Sequence, residues 1–200
     1  MQTPLQIGIT GGIGTGKSLV CKIFHALGVP AYDADSRAKK LMTTDGILIG
    51  QIQKEFGTLS YDARGVLNRE YLSATVFNDE AKLKRLNELV HPRVGEDYKQ
   101  WVAARGNVKY VLKEAALLFE SGSYRSLDKI IVVSAPVEVR IKRVLARDRH
   151  RSKTDIEMIM NNQLPELVKE SKADFVIRND EVELVIPQVL KLHERLNSTN

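Results

Sequence analysis

Gly11-Gly12-Ile13-Gly14-Thr15-Gly16-Lys17-Ser18 follows an apolar run at residues 5–10 and precedes a stretch of helical periodicity, a G-x-x-x-x-G-K-S pattern between a strand and a helix. Its glycines let the backbone turn so tightly that successive N–H groups converge on one concavity, which suits the phosphates of a nucleotide. Lys17 is placed to reach the β- and γ-phosphates, and the Ser18 hydroxyl to meet Mg²⁺. The helix opening near Lys17 directs the positive end of its dipole at the same anion. A glycine-rich turn without a ligand is the competing reading, and the flanks speak against it. Leu5-Gln6-Ile7-Gly8-Ile9 is strand-like, whereas residues 18–27 set Val20, Ile23, Phe24 and Leu27 on one helical face.

Working outward, 200 residues, 43% of them hydrophobic and 28% charged, suffice for a sizeable core with insertions around it, and one globular unit with subdomains is expected. The net charge of +5 comes from 30 basic and 25 acidic side chains spread along the chain. That balance suits a phosphate-rich small ligand at least as well as nucleic acid, and no nucleic-acid partner is expected. Cys21 is the single cysteine, on the helix after the loop, so no intramolecular disulfide forms; it reads as a small apolar packing residue in a protein of a reducing compartment. No stretch approaches the roughly 20 apolar residues that span a bilayer. The first apolar run is cut by Gly8, Gly11 and Gly12, unlike a signal peptide. A soluble cytoplasmic protein without a membrane partner is the expectation.

Gly28-Val29-Pro30 ends the first helix, and Ala31-Tyr32 leads as a second strand into Asp33-Ala34-Asp35. Ligands of open α/β sheets lie outside the carboxyl ends of the strands, so Asp33 and Asp35 are expected to face the crevice of the phosphate loop, pointing the same way at alternate strand positions. The alternative is a helix cap, with Asp35 or Ser36 capping the helix that residues 37–42 suggest. Residues 38–104 are almost wholly helical in pattern, with Ile47, Leu48, Ile52 and Phe56 in one segment, Leu72, Val76, Leu83, Leu86, Leu89 and Val90 in others, and a loop at 57–65. This reads as a helical insertion. Within it His91-Pro92-Arg93 is expected to end or kink the preceding helix and so to fix the direction of His91 and Arg93; a hydrogen-bonded structural histidine is the alternative to a functional one.

The sheet resumes at residues 108–112, and Glu114 just past it is the candidate carboxylate for Mg²⁺ or its water, with Glu120 as the alternative and neither as a third possibility. Residues 128–133 form a continuous apolar run suited to a strand buried on both faces. Pro136 opens the next helix. That helix carries Arg140, Arg143 and Arg147 on one face and runs into Asp148-Arg149-His150-Arg151-Ser152-Lys153. Guanidinium forks suit a triphosphate, so the region reads as a mobile lid, against a solvated basic face or a nucleic-acid patch. Helical patterns cover residues 154–162 and 165–171, a short strand and turn 173–180, and an amphipathic helix 182–196. Residues 198–200 read as disordered.

From end to end these motifs resemble the dephospho-CoA kinase family, P-loop kinases of the last step of coenzyme A synthesis. The resemblance is carried by Ile9-Thr10 with the loop, Asp33-Ala34-Asp35, Leu86-Asn87 with His91-Pro92, Leu117-Leu118-Phe119-Glu120, Arg143 with Arg147-Asp148, Gln163, and Ala173-Asp174 with Asn179. The loop alone is unspecific; the combination is specific. The chain departs from the family at Ala116, where proline is usual before the two leucines, with an acidic residue two places earlier that here is Glu114.

The resemblance implies an α/β fold, a three-layer P-loop NTPase core with a parallel sheet (residues 1–35, 106–144 and 173–200), a helical acceptor-binding insertion (36–105), and a lid with its following helices (145–172). It implies transfer of the γ-phosphoryl of ATP to the ribose 3′-hydroxyl of dephospho-coenzyme A, with Mg²⁺, by a monomer or weak homo-oligomer. Gly11, Gly12, Ile13, Gly14, Thr15, Gly16, Lys17, Ser18 and Asn179 would bind the nucleotide, and Ser18 and Glu114 the metal. Lys17, Arg143 and Arg147 would meet the charge of the transition state. Asp35 would be the base, with Asp33 supporting the metal's waters, and Thr10, Asp35, His91, Leu118 and Glu120 would contact the acceptor. Another small P-loop nucleoside or nucleotide kinase shares the core and lid of this reading. A GTPase-type switch would need an N-K-x-D motif, which the sequence lacks; Asp62-Ala63-Arg64-Gly65 matches its D-x-x-G motif but lies in a polar loop.

Overall fold

The computed structural model of the chain describes residues 3–77 and 79–198. In chain order the elements are β1 (Leu5–Thr10), α1 (Lys17–Ala26), β2 (Ala31–Asp33), α2 (Ala34–Thr44), α3 (Gly46–Phe56), α4 (Arg69–Phe77), α5 (Glu80–Ala103), β3 (Tyr110–Glu114), β4 (Lys129–Ser134), α6 (Val137–Arg147), α7 (Lys153–Asn161), α8 (Glu166–Ser171), β5 (Phe175–Arg178) and α9 (Val185–Ser198). The chain divides into two compact units, Met1–Asp33 with Arg105–Asn200, and Ala34–Ala104.

The first unit is built on a five-stranded sheet of order β2-β3-β1-β4-β5, parallel throughout. Strands this apolar need cover on both faces. Ile7, Ile9, Ile131 and Val133 join Val20 and Phe24 of α1 and Val189, Leu192 and Leu196 of α9 in one core cluster, while α8 packs on β4, so helices lie on both sides of the sheet. β3 starts two residues later than the apolar run 108–112 suggests and takes in Glu114. The reason is register: Leu5 faces Tyr110 and Ile9 faces Glu114, so pairing with β1 carries the strand through its polar end. Glu114 thereby also faces Asp33 across the β2–β3 ladder.

The second unit is helical. Val90, Val94, Tyr98 and Val102 recur every four residues along α5 and are buried, and α2, α3 and α4 pack against that helix. Pro92 does not end the helix, one of the two outcomes expected at His91-Pro92-Arg93: α5 runs through it. A proline inside a helix forfeits one backbone hydrogen bond, but the apolar stripe continues in phase on both sides of Pro92, and burying it outweighs the loss. Asp35 departs from expectation as well. It is not an alternate strand position beside Asp33, because β2 ends at Asp33 and α2 begins at Ala34, which places both Asp35 and Ser36 inside the first helical turn and not before it. A carboxylate there is favoured by the helix dipole.

Smaller differences have local causes. Asp62-Ala63-Arg64-Gly65 is a turn in which Asp62 Oδ1 accepts the N–H groups of Arg64 and Val66 at 2.9 Å each. The final helix begins at Val185, not at 182, because Asp180 Oδ1 holds the N–H groups of Val182 and Glu183 in a turn. Ser198, read as disordered from sequence, is the last residue of α9, and Thr199 and Asn200 lie outside the described residues. Among the described residues no helix is long and apolar enough to cross a membrane.

Asp45 ties α3 to α5. Its Oδ1 accepts the N–H groups of Ile47 and Leu48 at 3.0 Å each, and its Oδ2 lies 2.6 Å from Arg93 Nη2. Desolvation pushes its carboxyl pKa up, yet the Leu48 amide and the Arg93 guanidinium together hold it below the ordinary 3.8. A depressed folded-state pKa means stability that is present above the unfolded value and lost as the pH falls through the folded one. Asp45→Ala is therefore expected to cost about 2 kcal/mol at neutral pH, cap and ion pair together. That corresponds to a Tm lower by roughly 4–8 °C, with the deficit shrinking below about pH 4. Thermal melts of both proteins across pH check this, and an undiminished deficit in acid would contradict the electrostatic account.

Candidate active site

β1 delivers the glycine-rich loop to the carboxyl edge of the sheet, where α1 starts. Gly16, the residue before α1, has φ +93°, a left-handed conformation that favours glycine, and a Cβ there would collide with the Asn179 amide. Thr15 closes the loop on itself, its N–H and Oγ1 both donating to the Gly12 carbonyl at 3.3 and 3.0 Å. Asn179, buried just past β5, donates its Nδ2 to the Thr15 carbonyl at 2.8 Å. Residues 164 positions apart in sequence thus share one rim because β1, β4 and β5 are parallel neighbours and end on the same side.

The Lys17 ammonium donates to the carbonyls of Gly11 and Gly12 at 2.8 and 3.2 Å, so it lies over the concavity of the loop. Ser18 Oγ donates to Glu114 Oε1 at 2.9 Å. Hydroxyl and carboxylate meet because α1 and β3 converge at the end of β1, bringing together two residues 96 apart in sequence. Behind them sits Cys21. Burial pushes its thiol far above the ordinary value, the Glu114 carboxylate that accepts its hydrogen bond pushes the same way, and Lys17 opposes. Cys21 is accordingly a protonated packing residue, as its sequence context suggests.

The three arginines of α6 lie on one row yet engage different partners. Arg140 is 5% exposed and donates Nε to the Ile13 carbonyl and Nη1 to Glu166 Oε2, both at 2.9 Å. Arg143 donates Nη1 to the Asn179 carbonyl at 2.9 Å and Nη2 to Asn179 Oδ1 at 3.3 Å. Arg147, at the end of the helix, grips Asp148 with Nε and Nη2 at 2.8 and 2.9 Å and keeps a 65% exposed side chain. Hydrogen bonding to Asp148 raises the Arg147 pKa above its ordinary value, and Arg147 lowers that of Asp148. The chain then turns into α7 through a capping box between Ser152 and Asp155.

Of the residues expected to contact an acceptor, Thr10 and Leu118 are fully buried in the first unit, and the Thr10 hydroxyl is held by the Ala116 carbonyl at 3.4 Å. Glu120 accepts the Leu164 N–H at 2.8 Å and lies 3.3 Å from the Lys169 ammonium. Asp35 and His91 belong to the second unit and are both exposed, on α2 and α5 respectively. Sequence reasoning gave no part to Glu166 or Lys169 beyond placing them in a helical stretch. Lys169 is in fact 0% exposed, and burial raises the Glu166 carboxyl pKa against the pull of Arg140 and Lys169. Nothing in the local pattern marks them, since their partners come from other elements.

A family model described as dephospho-CoA kinase, CoaE, matches residues 5–183. The chain is 37% identical over 200 residues to the dephospho-CoA kinase of Chlorobium chlorochromatii, a match covering 96% of this chain and 94% of that one. Its fold is similar to the crystal structure of TT1252 from Thermus thermophilus, with a TM-score of 0.86, 31% identity and coverage of 97% and 98% of the two chains. Dephospho-CoA kinase from Campylobacter jejuni matches with a TM-score of 0.71 at 26% identity over 96% of each chain.

Proposed function

The chain belongs to the dephospho-CoA kinase family, and from that premise we propose how its residues serve the family's reaction, ATP-dependent phosphorylation of dephospho-coenzyme A. The observation that carries the assignment is the meeting of Lys17, Ser18 and Glu114 at the mouth of the glycine loop. Another small P-loop nucleoside or nucleotide kinase is not favoured, because the family match runs through residues 5–183, well beyond the loop that such kinases share.

ATP binds with its β- and γ-phosphates in the loop, and Lys17 exchanges the Gly11 and Gly12 carbonyls for phosphate oxygens. Ser18 and Glu114, two hard oxygen donors 2.9 Å apart, fit Mg²⁺, an ion that commonly takes one or two protein oxygens and completes its octahedron with phosphates and water. When bound, Mg²⁺ supplies positive charge against the β- and γ-phosphate oxygens. Asp33, facing Glu114 across the β2–β3 ladder, orients the waters of that shell. Asn179 holds the loop and Arg143 together at the nucleotide's edge. Arg147 turns from Asp148 to the transferring group as the lid around residues 147–153, which the helices up to 172 follow, closes.

The acceptor's ribose 3′-hydroxyl oxygen attacks the γ-phosphorus, the bond from that phosphorus to the β,γ-bridging oxygen breaks, and ADP leaves. Asp35 takes the hydroxyl proton. His91 contributes to acceptor binding from the helical insertion, residues 36–105, while buried Thr10 and Leu118 shape the walls and Glu120 braces residue 164. Catalysis here is mainly positioning and charge stabilisation. We read the enzyme as cytoplasmic, its single thiol kept reduced there, and as a monomer or weak homo-oligomer.

The test is ATP consumption by the purified protein with dephospho-coenzyme A, with nucleosides and nucleotides, and with no acceptor. ADP should form at one equivalent per coenzyme A with the first and at background with the others. Turnover on a nucleotide and none on dephospho-coenzyme A would overturn the assignment.

A further inference from the structure

The near edge of the glycine loop is held from behind by side chains far along the chain. Gln163 Oε1 accepts the Ile13 N–H at 2.9 Å, and the Glu166 carboxylate packs beside Gly12, where an added Cβ would come within 2.9 Å of its Oε2. Arg140 joins them, donating to Glu166 on one side and to the Ile13 carbonyl on the other. The fit is close enough that a Cβ on Gly12 would collide with the Arg140 guanidinium. The bracing segment is itself anchored, because the Leu164 N–H donates to Glu120 Oε1, which also faces the buried Lys169 ammonium.

Charges this deep are costly to hold. Burial pushes the Glu166 carboxyl up and the Arg140 guanidinium down, each against the other's attraction. Neither side chain, nor Gln163, has a part in the phosphate contacts assigned above. A loop with glycine at four of its eight positions samples many backbone conformations, and only a narrow set turns its remaining amides together onto a phosphate. Fixing the Ile13 amide outward, with Gly12 packed against Arg140 and Glu166, removes that freedom before the nucleotide arrives, which lowers the entropy lost on binding.

We propose that Gln163 and Glu166, with Arg140, are positioning residues that brace the Gly12-Ile13 edge in its phosphate-accepting conformation, so that the segment following the arginine-rich turn sets nucleotide affinity. The proposal rests on residues 11–18 being the phosphate cradle. Gln163→Met keeps the side-chain volume and removes the acceptor for Ile13; Gln163→Glu keeps an acceptor oxygen at the same reach. ADP affinity is measured by calorimetry on the full-length protein, with kcat, the KM values for ATP and dephospho-coenzyme A, and Tm. Gln163→Met should raise the ADP Kd about five- to tenfold, the effect of one lost hydrogen bond. The KM for ATP should rise in parallel while that for dephospho-coenzyme A stays put, and Gln163→Glu should return ADP affinity to within about twofold of wild type. A lower Tm in Gln163→Met with ADP affinity unchanged would mean a merely structural bond and overturn the brace, as would failure of Gln163→Glu to restore affinity. Folded wild-type protein that binds no ADP would overturn the cradle itself, and the brace with it.

Discussion

Lys17→Ala is expected to reduce phosphoryl transfer by roughly a thousandfold or more while leaving the fold intact. The ammonium hangs over the loop and donates to the backbone carbonyls of Gly11 and Gly12, groups that water can satisfy once the lysine is gone. Its aliphatic stem is not part of the core cluster of Ile7, Ile9, Val20 and Phe24. What the substitution removes is a fixed positive charge next to the β- and γ-phosphates, where negative charge is redistributed in the transition state. Such a loss falls on kcat as well as on kcat/KM. Steady-state kinetics with dephospho-coenzyme A, beside circular dichroism and a thermal melt, make the measurement. Near-normal turnover in a natively folded variant would show that the cradle does not serve ATP.

Asp35→Asn should lower turnover by roughly a hundredfold or more, because asparagine keeps the size and hydrogen-bonding reach of the side chain but cannot accept the proton of the acceptor's hydroxyl. Acceptor affinity, determined separately by calorimetry, should persist. The Asp33 carboxylate lies on a different element, the last position of β2 opposite Glu114, and its role is tied to the ion instead. Asp33→Asn should raise the Mg²⁺ concentration for half-maximal rate and recover in part at high Mg²⁺. Measuring kcat of both variants through a Mg²⁺ titration separates the roles. Rescue of Asp35→Asn by Mg²⁺, with Asp33→Asn inert, would exchange the two assignments. Little loss in either would leave Asp33-Ala34-Asp35 as a strand end and a helix's first turn.

The arginines of α6 show what a sequence pattern can and cannot say. Their spacing of three and four residues placed them on one helical row, and they are there. Yet the row is divided by what surrounds it: Arg140 is sunk behind the loop against Glu166, Arg143 is bound to Asn179 and partly exposed, and Arg147 is largely exposed at the helix end. Depth along a helix depends on neighbours that periodicity does not name. Pro92 teaches the same in reverse, since a residue with a strong local preference for ending helices is overruled by the buried stripe from Val90 to Val102.

By itself the sequence determined the loop, the strand before it and the helix after it, since glycine spacing and apolar period act over a few residues at a time. It also brought Lys17 and Ser18 to the cradle and marked Glu114 as a carboxylate at a strand end. Only the tertiary structure decided that Glu114 receives the Ser18 hydroxyl, that Asp35 leaves its strand for a helix, and that Gln163 reaches Ile13 across 150 residues. Those outcomes follow from the register of parallel strands and from buried charges seeking partners, forces that act between segments distant in the chain and therefore leave no period within any one of them.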